Sequence, residues 1–361
     1  MQFIMIRIIF YFSFFLLTNC ASFSNSVSQN AIQNESDDCI ETRAVFDIGS
    51  SSTRMQVSRV DVCQKEILED LYSAEEKIDF IESLKKSKND SLPKAFTAQA
   101  IRSLKQLKEK SLVYQPSKWI GVVTSAFRAA RNGQEVATNI QKETGILIRL
   151  VSQEEEGQIG FWGAVYRWKS GAQTNGAIQT FDMNNIIVWD IGGGSMEFSF
   201  LNKNQIVQVE EGQTASVLFK NQIITDIQKK SLSQTQSPNP LSQKIVKKAL
   251  QLAQEMAAKN AKKLKLQFNK PVTVLGVGGV HWYSLRLQTD TKEFYTLKDV
   301  EKALSQKTGL TDAQIGGAYA STEISNLILV SGFMKKLGIE KVFPLKVNLT
   351  DGLLLSTALH R

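Results

Sequence analysis

One short device occurs twice in this chain: an apolar run ending in an acidic residue, then Ile-Gly, small residues and a second alternating run. The copies are "FDIGSSSTRMQV" at 46–57 and "WDIGGGSMEFSF" at 189–200. Each reads as a β-hairpin around a Gly-Ser turn. An internal repeat of this kind predicts two related lobes facing each other, and 361 residues at 42% hydrophobic suffice to bury a core in both.

The rest of the pattern alternates between helix and strand, so the expected class is α/β with mixed sheets. A helical stretch spans 92–110, a strand "WIGVVTS" 119–125, a helix 128–144 and a strand "ILIRLVS" 146–152. A further helix opens on "QEEEG" and runs to about Trp168. In the second half, "NIIVWDIGGGSMEFSFLNKNQIVQVE" (185–210) reads as three strands. Stretches 169–185 and 231–243 read as loops, and 244–270 as an amphipathic helix with a lysine-rich polar side and Ile245, Ala249, Leu252, Met256 and Leu264 on other faces.

The turns suggest the chemistry. Glycine and serine after a strand expose backbone N–H groups and hydroxyls together and let a phosphate approach the main chain. Asp47 and Asp190, just before the turns, repel a phosphate but suit a hard cation such as Mg²⁺. The three glutamates at 154–156 separate by position. Ser152 and Glu155 form a capping box, Glu154 faces solvent, and Glu156 shares the face of Ile159, Gly160 and Gly163 that turns inward. A carboxylate on that face, at a cleft between lobes, is placed to act as general base on water.

Residues 1–20 carry one charge, Arg7, and an apolar run too short to span a membrane, which reads as a signal peptide. The sequence Leu17-Thr18-Asn19-Cys20 resembles a bacterial lipobox, with Asn19 where a small residue is usual. Lipidation of Cys20, plain secretion and an uncleaved anchor all leave the body exported. The Ser- and Asn-rich stretch 21–42 reads as a tether. If the first hairpin turns near Ser51, opposed residues have numbers adding to 102; Cys39 and Cys63 meet that condition and are expected to form a cross-strand disulfide. The net charge of +8 favours a polyanionic partner. No Walker A motif is present, and "GVGGVH" does not fit a dinucleotide fingerprint.

Four motifs in order, "FDIGSSSTRMQV", "VVTSAFRAARN" (122–132), "IRLVSQEEEGQIGFWG" (148–163) and "VWDIGGGSMEFSF", resemble the exopolyphosphatase / guanosine pentaphosphate phosphatase family of the actin-like, sugar-kinase and Hsp70 ATPase superfamily. The resemblance covers about residues 43–361. It implies two actin-like, ribonuclease H-like lobes with a cleft between them: lobe one at 43–165, lobe two at 166–345, and a C-terminal helix at 346–361 packing back on lobe one. It also implies a divalent-cation-dependent hydrolase, with Mg²⁺ the first choice, that removes the terminal phosphate of inorganic polyphosphate or the 5′-γ phosphate of guanosine pentaphosphate; a homodimer is one further expectation for its partners.

Carried over by position, the resemblance makes Glu156 the base and Glu197 a second essential acid and metal or water ligand, with Asp47 and Asp190 as metal-associated aspartates. Gly49, Ser50, Ser52, Gly192, Gly193, Gly194 and Ser195 form the phosphate loops, and Thr124, Ser125 and Arg128 line the site. The chain departs from the family pattern at Ser51, at Val280 and in "TDGLLLS" (350–356), which lacks the family's Arg and Glu. Its only histidines, His281 and His360, read as structural or exposed. Two alternatives remain at this stage: an exported nucleoside tri- or diphosphate hydrolase, and a lipoprotein that binds a polyanion without hydrolysing it.

Overall fold

The computed structural model describes residues 39–174, 182–212, 214–260, 264 and 271–356. The signal segment, Cys20 and residues 21–38 lie outside the described residues, as do 175–181 of the expected loop, nearly all of 261–270 and the last five residues with His360.

Strands β1 (Ile40–Ile48) and β2 (Thr53–Asp61) form the first hairpin, pairing Ile40 with Asp61 through to Ile48 with Thr53. These numbers add to 101, so the turn lies between Ser50 and Ser51 and the expected register was one residue out. The disulfide forms all the same, with Cα atoms 5.5 Å apart, because Cys39 and Cys63 stand just beyond the paired strands. There the N–H of Val62 donates to the carbonyl of Cys39, and the extra residue is absorbed. Strand β3 (Glu66–Glu76) escaped the sequence reading because "EILEDLYSAEE" is the exposed, acidic edge of its sheet, the composition that blunts edge pairing.

After β3 come α1 (Phe80–Lys86) and α2 (Lys94–Ser111), the latter burying Ala100, Ile101, Leu104 and Leu107 on one stripe. Strand β4 (Lys118–Val123) leads into α3 (Ser125–Ala129) and α4 (Gly133–Thr144). One helix was expected over 128–144; Ala130 is instead extended and breaks it, and a Cβ at Gly133 would stand 1.9 Å from the carbonyl of Phe127. Strand β5 (Leu147–Leu150) completes a sheet of order β3-β2-β1-β4-β5.

Helix α5 (Gln153–Thr174) runs through the expected lobe boundary at 165–166 and into the stretch read as a loop. The second sheet contains β6 (Ile186–Ile191), β7 (Met196–Leu201), β8 (Val207–Gly212), β9 (Thr273–Val277), β10 (Tyr295–Thr296) and β11 (Lys341–Pro344). Its order, β8-β7-β6-β9-β11, repeats that of the first sheet with the same parallel and antiparallel pairings, and β10 is added at the edge. The repeat seen in the motifs is therefore a repeat of whole lobes, as expected of an actin-like fold.

Lobe two carries α6 (Ser216–Gln222), α7 (Gln243–Asn260), α8 (Leu297–Lys307) and α9 (Ala320–Leu337). Helix α7 exposes Lys244, Lys247 and Lys248 and buries Ala249, Ala253 and Ala257; it sits so close to α9 that a Cβ on Gly332 would stand 2.4 Å from that of Ala253. The last described helix is α10 (Leu349–Leu355). Among the described residues no helix is long and apolar enough to cross a membrane.

Two helices exchange between the lobes. Helix α5 leaves lobe one and lays Phe161, Ala164 and Val165 against Ile186, Val188 and Val207 of the second sheet. Helix α10 leaves lobe two and lays Leu353, Leu354 and Leu355 against Val45, Val60, Ile120 and Val122 of the first. They meet where Gly163 faces Gly352. This crossing carries Glu156, three residues before Ile159, into the space between the sheets.

Candidate active site

The two hairpin turns close with the same hydrogen bond: Gly49 N–H to Ser52 O and Gly192 N–H to Ser195 O, each 3.0 Å. They face one another. A Cβ on Gly194 would lie 2.7 Å from Ser125 Oγ and 3.3 Å from Ser50 Oγ, and one on Gly193 would lie 3.2 Å from Ser51 Oγ, so a side chain at 194 would displace the serine hydroxyls. Ser50 Oγ and Ser125 Oγ are 2.5 Å apart, which joins the first turn to the start of α3. Thr124 is buried as the N-cap residue of α3, and its carbonyl accepts from the N–H of Arg128. Ser52 takes part through its carbonyl. The loop and lining residues expected from sequence thus gather in one place.

Four carboxyl groups surround this place. Asp47, at the end of β1, is buried, and its Oδ1 has no hydrogen-bond partner. Burial raises it to about 6, against the pull of Arg54, whose Nη1 is 3.8 Å away. Asp190, at the end of β6, is also raised to about 6, by burial and then by the charge of Asp47. Glu197 lies directly opposite Asp190 in the β6–β7 ladder and accepts from Gln153 Nε2 at 2.7 Å. Burial, then the charges of Glu156 and Asp190, push it well above the usual carboxylate range.

Glu156 sits in the first turn of α5. The capping box forms as expected: Glu155 N–H to Ser152 Oγ at 3.1 Å and Ser152 N–H to Glu155 Oε2 at 2.9 Å. With Glu155 so occupied and Glu154 exposed, Glu156 is the member of the trio that turns inward, and it accepts from Arg128 Nη1 at 2.7 Å. Burial raises it to about 7, assisted by Asp190 and Asp47 and opposed by Arg128.

Three residues of this site were not singled out in the sequence. Arg54 is held by a two-pronged pair with Glu75, both contacts 3.1 Å, and so presents its charge to Asp47. Gln153 bridges α5 to Glu197 and to the carbonyl of Gly212. Gly278, at φ +85, lets a third turn approach Asp190; a Cβ there would stand 2.4 Å from Asp190 Oδ1. Arg54 had a signal, because it holds in the first hairpin the position that Glu197 holds in the second. His281 is structural: it is fully buried, bonded to Tyr295 at 2.6 Å and held down to about 3 by burial.

Residues 57–360 match the Ppx/GppA phosphatase family. The chain belongs to that family. Relatives include the bifunctional 3-dehydroquinate synthase/phosphatase of Fusobacterium nucleatum, 29% identical over 171 residues that cover 45% of this chain and 24% of that protein. Exopolyphosphatase 1 of Mycobacterium tuberculosis is 36% identical over 76 residues, covering 21% of this chain and 19% of that protein. The matches thus span a quarter or less of these curated relatives. Among solved structures, the Aquifex aeolicus PPX-GPPA enzyme superposes with a TM-score of 0.68 at 18% identity, covering 88% of this chain and 99% of that one, which shows the shared fold.

The resemblance of this Ppx/GppA site to a cation-dependent one stands a chemical test. Its donors are all oxygens, an Asp47 oxygen is buried without a partner, and four acids face two guanidinium groups. A hard divalent cation fits that deficit. Among the described residues, the only three potential ligand atoms within 4.8 Å of one another belong to Cys39, Asp61 and Cys63, and both of those cysteines are in the disulfide. Asp47, Asp190 and Glu197 are the carboxylates that would hold such an ion, although their oxygens do not converge within 4.8 Å of one another.

Proposed function

We propose that this chain is an exported, divalent-cation-dependent hydrolase that releases the terminal phosphate of inorganic polyphosphate, with Glu156 as general base. The observation that carries the reading is Glu156 itself. A carboxyl group poised at about 7, fixed by Arg128 and turned toward two facing Gly-Ser loops, is matched to proton removal from water near neutral pH.

The loops supply backbone N–H groups and the hydroxyls of Ser50, Ser125 and Ser195 to phosphoryl oxygens. Glu156 takes the proton of a water whose oxygen bonds to the terminal phosphorus as the bridging P–O bond breaks. Arg128 lies within reach to balance charge on the transferred group. A divalent ion on Asp47, Asp190 and Glu197 supplies neutralisation that four carboxylates cannot give a polyanion.

The Cys39–Cys63 disulfide supports an oxidising compartment, and the leader with its lipobox-like end supports export with a lipid anchor at Cys20. Outside the cytoplasm, polyphosphate is a more accessible substrate than guanosine pentaphosphate.

Phosphate release from polyphosphate, ATP and guanosine pentaphosphate, with Mg²⁺ and beside Glu156→Gln, tests the reading. Polyphosphate is expected to be fastest, and the variant to lose about 10²- to 10⁴-fold. Absence of release from all three by the folded protein overturns it.

A further inference from the structure

The first two turns of α5 meet lobe two along one stripe. A Cβ on Gly157 would stand 2.5 Å from Val209 and 3.0 Å from Ser199 Oγ, and one on Gly160 would stand 3.9 Å from Asp190 Oδ2. Gln153 and Glu156 belong to the same stripe, three and four residues from these glycines. The start of the helix therefore presents the base and one amide side chain to the second sheet together.

Two hydrogen bonds fix the helix to β7. Gln153 Nε2 donates to Glu197 Oε1 at 2.7 Å, and Ser199 Oγ donates to the carbonyl of Gly157 at 3.0 Å. Four residues of helix rise about 6 Å and two residues of strand about 7 Å, so the bonds stand as two rungs at matched spacing. Glu156 lies between the rungs, and they set its separation from Glu197.

Gln153 directs both of its amide hydrogens to lobe two, the second reaching the carbonyl of Gly212 at 3.1 Å, with that of Met196 further off at 3.4 Å. The chemical type of this donor matters as well as its place. Each guanidinium of the site is engaged with other acids, Arg54 with Glu75 and Asp47 and Arg128 with Glu156. An amide aims the buried Glu197 carboxyl without neutralising it, and so leaves its charge for a cation. A lysine or arginine at 153 would compete for that charge.

We propose that Gln153 braces this site as a positioning residue, aiming Glu197 toward the proposed cation and fixing its separation from the base Glu156. The inference rests on the phosphohydrolase reading above and deepens it.

Gln153→Met keeps the length of the side chain and removes its N–H groups; Glu154→Met, at the exposed neighbour, is the control. On polyphosphate, kcat is expected to fall about tenfold or more in Gln153→Met, as loss of a hydrogen bond to a charged group does, with KM unchanged. The Mg²⁺ concentration for half-maximal rate is expected to rise by about the same factor, and so is the Kd for Mn²⁺, read by calorimetry without turnover. Glu154→Met is expected to change none of these. A rise in KM alone, or kcat and cation affinity that match the control, overturns the proposal.

A thermal double-mutant cycle separates the brace from the chemistry. Gln153→Met is expected to lower the melting temperature by about 2–4 °C in otherwise wild-type protein, and by less beside Glu197→Met, where the acceptor is gone. Non-additive shifts sustain the brace even where the wild type binds no cation and releases no phosphate, an outcome that sinks the hydrolase reading by itself. Additive shifts sink the brace.

Discussion

Asp190 faces Glu197 across its hairpin, whereas Asp47, at the same place in the other lobe, faces Arg54. The two hairpins share turn and pairing, and in each the partner stands seven residues after the aspartate. That position decides the sign. Lobe one offsets its buried aspartate with a guanidinium at 3.8 Å, while lobe two adds a second buried acid to its own. An otherwise symmetric pair of glycine-serine turns thereby gains one side where a guanidinium offsets the buried acid and one where two buried acids face each other, the side on which the proposed cation would act.

Glu197→Gln removes the acid and keeps an oxygen to accept from Gln153. A buried carboxyl pushed upward by its neighbours destabilises the fold, so its neutral replacement is expected to melt higher, by about 2–4 °C per kcal/mol recovered. Cation-stimulated phosphate release is expected to fall at least about 10²-fold, the low end for loss of a positioned acid or base. Thermal melts and phosphate assays on one preparation check both; a variant that melts lower and keeps its activity contradicts the assignment.

The pH–rate profile reports on Glu156. A base must be ionised to act, so kcat/KM is expected to rise with pH through an acid limb near 7, well above an ordinary glutamate. Arg128 pulls that value down. Arg128→Met is therefore expected to move the limb to higher pH as well as to slow the reaction, and a limb that stays in place refutes the pairing of the two side chains in solution.

Stability is expected to run the other way. Glu156 and Glu197 are raised in the folded state, so the fold holds protons that the unfolded chain has already released. Their contribution is complete below the ordinary carboxylate range and is lost as pH rises through the folded values. His281, held down to about 3, has the opposite slope but is neutral in both states above about 6.5. The Glu156 contribution is thus expected to be lost between the ordinary glutamate value and about pH 7, by up to about 1.4 kcal/mol of stability per pH unit, and Glu156→Gln is expected to flatten that fall, most clearly above about pH 6.5 where His281 no longer opposes it. Calorimetry across that window gives the slope.

How much of this was legible in the sequence depended on whether the cause was local. The capping box fixed the roles of three adjacent glutamates because its hydrogen bonds span three residues. The repeated turns announced both lobes. The first hairpin's register was misjudged by one because Cys39 and Cys63 lie past the ladder, where pairing no longer constrains them. Helix α9 is buried on nearly every side, so it carries no amphipathic stripe to read. Gln153 and Gly278 are identified by what they touch in the other strands of the fold, and no pattern along the chain records that.

The crossing of α5 and α10 yields the last test. A Cβ on Gly352 would stand 2.0 Å from the carbonyl of Ile159, a backbone atom that cannot step aside. Gly352→Ala must therefore push α10 away from α5, and is expected to destabilise by about 1–3 kcal/mol, as overpacking does. Because Glu156 lies less than one turn before Ile159, phosphate release is expected to fall along with stability. Gly171→Ala in the same helix gives the contrast, since nothing lies within 4 Å of its Cβ and the change gains up to about 1 kcal/mol of helix propensity. Denaturant melts and phosphate release on the two variants decide the matter: equal behaviour means the contact between the crossing helices does not position the base.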